Sequence, residues 1–132
     1  TLTSVTLDVY TTPLTYVGKE LTPTVWTKIA TGQGVAAASN TPTPVDISDF
    51  LLPPGACGLA IHYVTSGNGY TNGTGTNQNY QNADLTLTLG VATAALFSST
   101  LFNPRVWNGT IYYTTAILTG GYVPVAVGNA LR

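Results

Sequence analysis

The sequence predicts an all-β protein, an antiparallel β-sandwich of jelly-roll or immunoglobulin-like type with no significant helix. Apolar and polar residues alternate in several short stretches, which is typical of strands that bury one face. Turn-forming residues separate these stretches at intervals of roughly 8–12 residues, the spacing of sandwich and barrel folds. Strong amphipathic helix patterns are absent from the sequence, so we expect a sheet-based domain from the 132 residues.

Charged residues are unusually scarce in this chain. They make up 7% of the sequence, against about 25% in a typical globular protein, and the formal net charge is −1. Four lysines and arginines exclude a basic patch for nucleic acid, and no apolar run is long enough to predict a membrane span. A neutral polar surface suits self-association or an extracellular setting, because it lacks the repulsion that keeps proteins apart. Since the chain begins at Thr1, we expect a processed or trimmed form.

The alternating pattern places the predicted strands along the chain. In order they span residues 3–10, 14–17, 24–30, 45–50, 57–65, 84–89 and 105–115. We expect Gly32 and Gly34 to end the third of these strands. Asn108-Gly109 is a turn or bulge signal, so a hairpin is an alternative to one long last strand. The connection over residues 90–103 is expected to fold two aromatic rings over one end of the sandwich, Phe97 and Phe102.

The predicted core is organised around residues 70–89, where a polar loop leads into a strand of alternating leucines. We expect these leucines to point inward and Asp84, Thr86 and Thr88 to point outward. The lone cysteine, Cys57, is expected to be buried, and His62 to be a packed or rim histidine. The core as a whole is predicted to contain Leu85, Leu87, Leu89, Leu59, Ile61, Trp107, Ile111, Val5 and Leu7.

The end of the chain differs from the rest. We predict a sandwich domain over residues 1–118 and a strand-like tail over residues 119–132, joined through the flexible pair Gly120-Gly121. The tail is predicted to pair as a strand with a different copy of the protein. Its alternatives are the last strand of its own sandwich or a linker to another module. The residues predicted to carry the assembly contact are Tyr122, Val123, Val125 and Val127.

Two long motifs resemble a module of large secreted bacterial proteins. One is YTNGTGTNQNYQNADLTLTL at residues 70–89, and the other is PRVWNGTIYYT at residues 104–114. The similarity covers roughly residues 5–115 and includes DVYTTP at 8–13, YVG at 16–18, WT at 26–27 and PVD at 44–46. The resemblance implies an extracellular, non-catalytic β-sandwich, and it supplies no activity or site residues. The segment after Thr115 lies outside it.

Catalytic combinations are few, and we predict that the chain is not an enzyme. A pair of Cys57 and His62 would lie about 16 Å apart on opposite faces of one strand. No nucleophile elbow accompanies the single histidine. Paired carboxylates for glycoside hydrolysis would have to come from Asp46, Asp49 and Asp84, and we interpret Asp46 and Asp49 instead as turn and cap residues.

Two kinds of binding are compatible with the polar loop over residues 66–82. No cofactor is predicted, although a structural calcium ion could be held by backbone carbonyls with Asp46, Asp49 or Asp84. The alternative is a loop held by its own side-chain hydrogen bonds to the backbone. Aromatic rings and amides suit sugars, unless the tyrosines instead anchor the loop on the sandwich. The candidate glycan contacts are Tyr70, Tyr80, Asn77 and Asn79.

These observations favour a non-catalytic extracellular or cell-surface subunit. We expect it to self-assemble, as a filament or surface layer, through β-strand addition. Its partners would then be copies of itself. The alternative is a carbohydrate-binding or adhesive β-sandwich module of a larger secreted protein, whose partners would be extracellular glycans. Neither function involves nucleic acid or a membrane span.

Overall fold

The computed structural model describes residues 3–65, 69–115 and 128–131, the last range by its backbone alone. The fold is all-β, as the sequence predicts, and the described residues include no α-helix. A single 3₁₀ turn spans Pro23–Val25. The strands are β1 (Ser4–Pro13), β2 (Thr27–Val35), β3 (Thr43–Ile47), β4 (Cys57–Tyr63), β5 (Tyr70–Asn72), β6 (Asn79–Gln81), β7 (Thr86–Thr88), β8 (Ala92–Ala95), β9 (Ser98–Phe102), β10 (Arg105–Trp107), β11 (Gly109–Tyr112) and β12 (Gly128–Leu131).

The described strands form two parts, and every pair is antiparallel. The main sheet has six strands in the order β11-β12-β3-β2-β1-β4. The other strands form three pairs, β10 with β5, β6 with β7 and β8 with β9, which we call the hairpin layer (residues 70–107). The Trp107 ring of this layer packs against the buried cluster of the main sheet. The arrangement is consistent with a β-sandwich.

The core lies on β1 and its neighbours. On β1, Val5, Leu7 and Val9 alternate with polar residues, and the strand pairs with β2 on one side and β4 on the other. The chain is therefore organised around its first strand, and the prediction that residues 70–89 form the centre is wrong. The buried hydrophobic cluster consists of Val5, Leu7, Val9, Ala30, Val45 and Ile47, with Leu59, Ile61 and Trp107 partly buried against it.

The leucine strand has the predicted faces but not the predicted burial. Asp84, Thr86 and Thr88 are exposed, whereas the leucines between and after them are half-buried. The reason is that β7 pairs only with β6 in a two-stranded sheet, so no second strand covers its other edge. Four residues predicted for the core lie outside the buried cluster, Leu85, Leu87, Leu89 and Ile111.

Two glycines bring β2 close to β3. Gly32 lies opposite Ile47 and Gly34 opposite Val45. A Cβ atom at Gly32 would collide with the backbone oxygen of Asp46, and a Cβ at Gly34 would meet the backbone of β3 in the same way. The prediction that these glycines end the strand is wrong, because β2 continues through both to Val35. Their role is close approach of two backbones.

Cys57 is exposed, which contradicts its predicted burial. It is the first residue of β4 and lies opposite Pro13, the last residue of β1, at the margin of the main sheet. The predicted strand over residues 14–17 is also wrong. Leu14 has a φ of 68°, in the left-handed region, and the amide of Thr15 donates to the Pro13 carbonyl. The chain therefore turns where a strand was predicted.

The chain changes sheets at Asn108. β10 pairs with β5 in the hairpin layer, whereas β11 pairs with β12 in the main sheet. Both predicted alternatives for residues 105–115, one long strand and a hairpin, are therefore wrong. Gly109 is needed at this crossing because a Cβ there would collide with the ring of Trp107.

Candidate functional site

The first candidate region is the position of β12, the last described strand. Its backbone pairs with β11 through Gly109↔Leu131 and Tyr112↔Gly128, and with β3 through Thr43↔Leu131 and Asp46↔Gly128. β3 and β11 are both antiparallel to β12, so they run parallel to each other. They are two strand spacings apart, roughly 9–10 Å. We call this position the β12 slot.

The β12 slot involves the tail of the chain, but not at the residues predicted for assembly. Tyr122, Val123, Val125 and Val127 lie outside the described residues. The described strand, Gly128–Leu131, begins just after them and pairs within its own chain. β12 lies within the strand-like tail predicted over residues 119–132, but it follows the residues predicted for the assembly contact. Within the described strand, Asn129 and Leu131 lie opposite the buried residues Val45 and Thr43.

The second candidate region is a cavity of about 660 Å³ between β4 and the hairpin layer, which we call the hairpin cavity. Its size lies within the usual range for ligand pockets, roughly 300–1,000 Å³. Half-buried apolar side chains of β4 and β7 form part of the wall, together with the Trp107 ring. The Trp107 Nε1 donates a hydrogen bond to the Tyr63 hydroxyl, which fixes the orientation of the indole.

Stacked aromatic rings form one end of the hairpin cavity. Phe97 is buried, stacks on Trp26 with ring centroids 4.9 Å apart, and meets Tyr10 edge to face at 5.1 Å. The prediction that Phe97 folds onto the sandwich is confirmed. Phe102 is exposed and does not join this stack, because its ring lies beside the Arg105 guanidinium instead.

Arg105 lies on the wall of the hairpin cavity between two rings. Its guanidinium carbon is 4.9 Å from the centroid of Tyr70 and 5.5 Å from that of Phe102. Nη1 donates to the Pro104 carbonyl at 2.9 Å. The Nε atom is buried and has no hydrogen-bond acceptor among the described residues. The guanidinium is therefore held in place while part of its donor capacity stays unused.

Other polar groups line the same cavity. The Nδ1 atom of His62 is buried and lacks a hydrogen-bond partner in the part of the chain that the structure describes. Tyr16 and Glu20 lie on the wall as well. Burial, and then the negative charge of Glu20, raises the pKa of the Tyr16 phenol. Tyr16 therefore presents a neutral hydroxyl that can both donate and accept.

Side-chain amides form hydrogen bonds within the described part of the polar loop, residues 69–82. Asn77 Oδ1 accepts from the Thr74 amide at 2.8 Å, and its Nδ2 donates to the Asn72 carbonyl at 3.1 Å. Asn79 Oδ1 accepts from the Thr88 hydroxyl at 3.1 Å. Tyr70 and Tyr80 are 55% and 48% exposed, and that they anchor this loop stays a prediction.

The four candidate glycan contacts do not converge on one site. Tyr70 lines the hairpin cavity, whereas Tyr80 lines a smaller cavity of about 340 Å³ beside β11, which adjoins the first and shares Leu87 and Trp107 with it. Asn77 and Asn79 are engaged in the loop, as just described. The residue that sequence reasoning missed is Arg105, and the motif PRVWNG around it gave no sign that it meets Tyr70.

The acidic residues are dispersed. No group of three or more His, Cys, Asp or Glu side chains that could hold a metal ion occurs among the described residues. Asp84 accepts a hydrogen bond from the Tyr113 hydroxyl at 2.9 Å. A calcium ion bound by backbone carbonyls with Asp46, Asp49 or Asp84 stays a prediction. The described residues also contain no helix with the length and hydropathy to cross a membrane.

A single ion pair, between Lys28 and Asp8, is seen in the described part of the chain. The Lys28 Nζ is 2.8 Å from Asp8 Oδ1 on the face of β1 opposite the core. Burial of Asp8 would raise its pKa, but the hydrogen bond and charge of Lys28, with further contributions from Thr31 and His62, outweigh it. The pKa of Asp8 is therefore lowered. The same pair raises the pKa of Lys28.

No protein-family model, curated protein or solved structure matches this chain. The β12 slot and the hairpin cavity are therefore the two candidate functional regions of the described chain.

Proposed function

We propose that this chain is a non-catalytic, extracellular structural subunit that self-assembles by exchanging its C-terminal strand. The observation that carries the proposal is the position of β12. The last described strand lies between β3 and β11, which bond to each other only through it. It is joined to β11 by the chain over residues 113–127. A second copy could supply the same strand with the same ladder of main-chain hydrogen bonds.

Exchange of β12 costs little because it replaces each pairing with an identical one. Strand exchange between identical chains is a low-cost route to assembly for this reason. A connection of 15 residues between Tyr112 and Gly128 spans at most roughly 50–54 Å when extended, enough to reach a neighbour. The net charge of −1 adds little repulsion between copies. Protein concentration and the length of the connection over residues 113–127 would then decide whether the β12 slot holds the chain's own strand or that of a second copy.

The exchange can be tested with two single-cysteine chains in a Cys57→Ser background. Thr110 on β11 and Ala130 on β12 lie directly opposite each other. Opposite Cα atoms in antiparallel pairs are about 4.5–5.5 Å apart, which suits a disulfide. We expect Thr110→Cys chains mixed with Ala130→Cys chains to form a disulfide-linked heterodimer at high concentration, resolved on a non-reducing gel.

The matched control replaces Ala130→Cys by Asn129→Cys, because Asn129 lies opposite Ile111 rather than Thr110. This mixture should give little heterodimer. A chain carrying Thr110→Cys and Ala130→Cys together tests the competing arrangement. Closure of this double variant within monomers at every concentration, with no heterodimer from the mixture, would show that β12 stays in its own sheet.

A second candidate function, carbohydrate binding, is favoured by the exposed Tyr70 ring on the wall of the hairpin cavity. Sugars present an apolar ring face to such aromatic groups and hydroxyls to polar neighbours. We expect Tyr70→Ala to abolish a glycan-array signal. Tyr112→Ala is the matched control, because Tyr112 is 59% exposed on β11 and is absent from the walls of both cavities. Equal signals from the two variants would remove this candidate.

A further inference from the structure

We infer that the hairpin cavity recognises a carboxylate, and that the ligand it takes is an acidic sugar bound through Arg105. The inference rests on the second of the two proposed functions, carbohydrate binding, and gives the chemical class of its ligand. It does not depend on exchange of β12.

The first step is the position of the Arg105 guanidinium. It lies between the rings of Tyr70 and Phe102 and is tied to the Pro104 carbonyl. A guanidinium is a rigid planar fork that matches a carboxylate with two parallel hydrogen bonds. Because three groups hold the Arg105 guanidinium in place before a ligand binds, binding costs less of the conformational entropy of the Arg105 side chain.

The second step is the absence of a compensating charge. Half-buried cations in proteins are usually paired with a carboxylate, because desolvation of an isolated charge is costly. Lys28 has such a partner in Asp8. Arg105 forms no ion pair with any carboxylate that the structure describes, although Glu20 lies on the wall of the same cavity. The missing partner of Arg105 is the group that we assign to the ligand.

The third step is an unused donor on Arg105 itself. Arg105 Nε is buried without a hydrogen-bond partner among the described residues, and Arg105 lines the hairpin cavity. Buried polar atoms are nearly always hydrogen-bonded. A guanidinium with a free donor fits a ligand that carries oxygen acceptors.

The remaining wall selects a sugar among carboxylate ligands. Tyr16 and Glu20 offer a neutral hydroxyl and an acceptor carboxylate for hydroxyl groups. The Tyr70 and Trp107 rings offer apolar surface for a pyranose face. An aromatic carboxylate would satisfy Arg105 and the rings but would leave Tyr16 and Glu20 without partners. A uronate has all three kinds of group.

The test is isothermal titration of the full-length chain with three ligands. Trigalacturonate is the expected ligand, galactotriose is its neutral counterpart, and benzoate is the aromatic carboxylate. We expect trigalacturonate to bind and the other two to bind at least tenfold more weakly. Arg105→Gln should weaken trigalacturonate binding by roughly 10–100-fold, because hydrogen bonds to a charged group are lost. Lys19→Gln is the charge-matched control, since Lys19 does not line the cavity, and should bind like the parent chain.

A stability measurement separates a ligand-binding role of Arg105 from a structural one. Arg105→Met keeps an unbranched side chain between the rings and removes the unpaired charge. We expect it to raise the Tm of the ligand-free protein while it abolishes trigalacturonate binding, because replacing a desolvated charge by an apolar group is often stabilising. A lowered Tm with unchanged binding would show that Arg105 is structural and would overturn the inference.

The three ligands distinguish failure of the acidic-sugar assignment from failure of the carbohydrate-binding function. Galactotriose binding that depends on Tyr70 but not on Arg105 would keep the carbohydrate function and overturn the acidic-sugar assignment. Preference for benzoate would also overturn it, because the ligand would then not be a sugar. If none of the three ligands binds, the carbohydrate function and the inference both fail, and strand exchange is unaffected.

Discussion

The main sheet and the hairpin layer bury their side chains to very different extents. Six of the eight buried hydrophobic residues among those described belong to the main sheet, and Leu7 on its central part is 0% exposed. In the hairpin layer only Phe97 and Val106 reach that class. Since burial of apolar surface is the dominant favourable term in folding, the main sheet should hold most of the stability. The hairpin layer is left with half-buried side chains around a cavity.

The two parts also treat positive charge differently. On the main sheet, Lys28 meets Asp8 at 2.8 Å. In the hairpin layer, Arg105 meets aromatic rings and a carbonyl, and no carboxylate of the described residues. The charge of Lys28 is therefore paired within the chain, whereas the charge of Arg105 has no carboxylate partner among the described residues. The scaffold and the candidate binding surface are therefore separate structures within one chain.

The largest expected effect is a difference between two leucines. Leu7→Ala should lower the free energy of unfolding by about 2–5 kcal/mol, because it leaves a cavity in a close-packed core. Leu87→Ala should cost less than about half as much, because Leu87 is half-buried beside an existing cavity. Guanidinium denaturation of both variants measures the difference. Equal losses would show that the hairpin layer is packed as tightly as the main sheet and would break the comparison.

Local patterns in the sequence were sufficient for the fold class and for strand faces. Period-two alternation correctly placed Val5 and Leu7 inside, and Thr86 and Thr88 outside. It could not rank the faces by burial, because burial depends on which strands lie on either side. β1 has two neighbours in the main sheet, whereas β7 has one in a two-stranded sheet. The wrong choice of centre follows from this limit.

The remaining errors are also matters of pairing between distant segments. The sequence predicts a strand end at Gly32, but glycine is required there because a Cβ would collide with the backbone of Asp46 on β3. Asn108 reads as a turn, yet it joins two different sheets. The hairpin cavity joins Tyr16, His62 and Arg105, which are separated by more than forty residues along the chain. Contacts between segments so far apart have no local sequence motif, so the sequence alone does not predict this cavity.

A smaller effect is expected in the pH dependence of stability. The pKa of Asp8 is lowered in the folded protein, so its carboxylate contributes stability at pH values above the unfolded pKa, about 4. That contribution should be lost as the pH falls through the lowered folded value. We expect the free energy of unfolding to decline below about pH 4 in the parent chain, and Asp8→Asn to flatten this decline.

Asp84→Asn provides the control for this pH profile, because it removes an exposed carboxylate from the hairpin layer. Denaturation at a series of pH values measures all three chains. If the pH profile of the free energy of unfolding flattens as much in Asp84→Asn as in Asp8→Asn, the loss of stability in acid does not arise specifically from the main sheet. The separation between the two parts of the molecule would then not extend to electrostatics.

The smallest effect on global stability, and the most local one, is expected at Asn77 in the polar loop. Its Oδ1 accepts from the Thr74 amide, and its Nδ2 donates to the Asn72 carbonyl. Both bonds are exposed and neutral, so Asn77→Ala should change the free energy of unfolding by less than about 1 kcal/mol per bond. It should nevertheless speed hydrogen exchange at the Thr74 amide, because that donor loses its acceptor.

Asn77→Asp is the internal control, because it keeps an acceptor oxygen for Thr74 and loses the donor to Asn72. Exchange at the Thr74 amide should stay slow in Asn77→Asp and become fast in Asn77→Ala, with the amides of β1 unchanged in both. Such a result would show that the loop opens independently of the main sheet, as expected for a segment held by its own side chains. Faster exchange along β1 would instead mean that the loop and the main sheet unfold as one unit, and the division between scaffold and binding surface would fail.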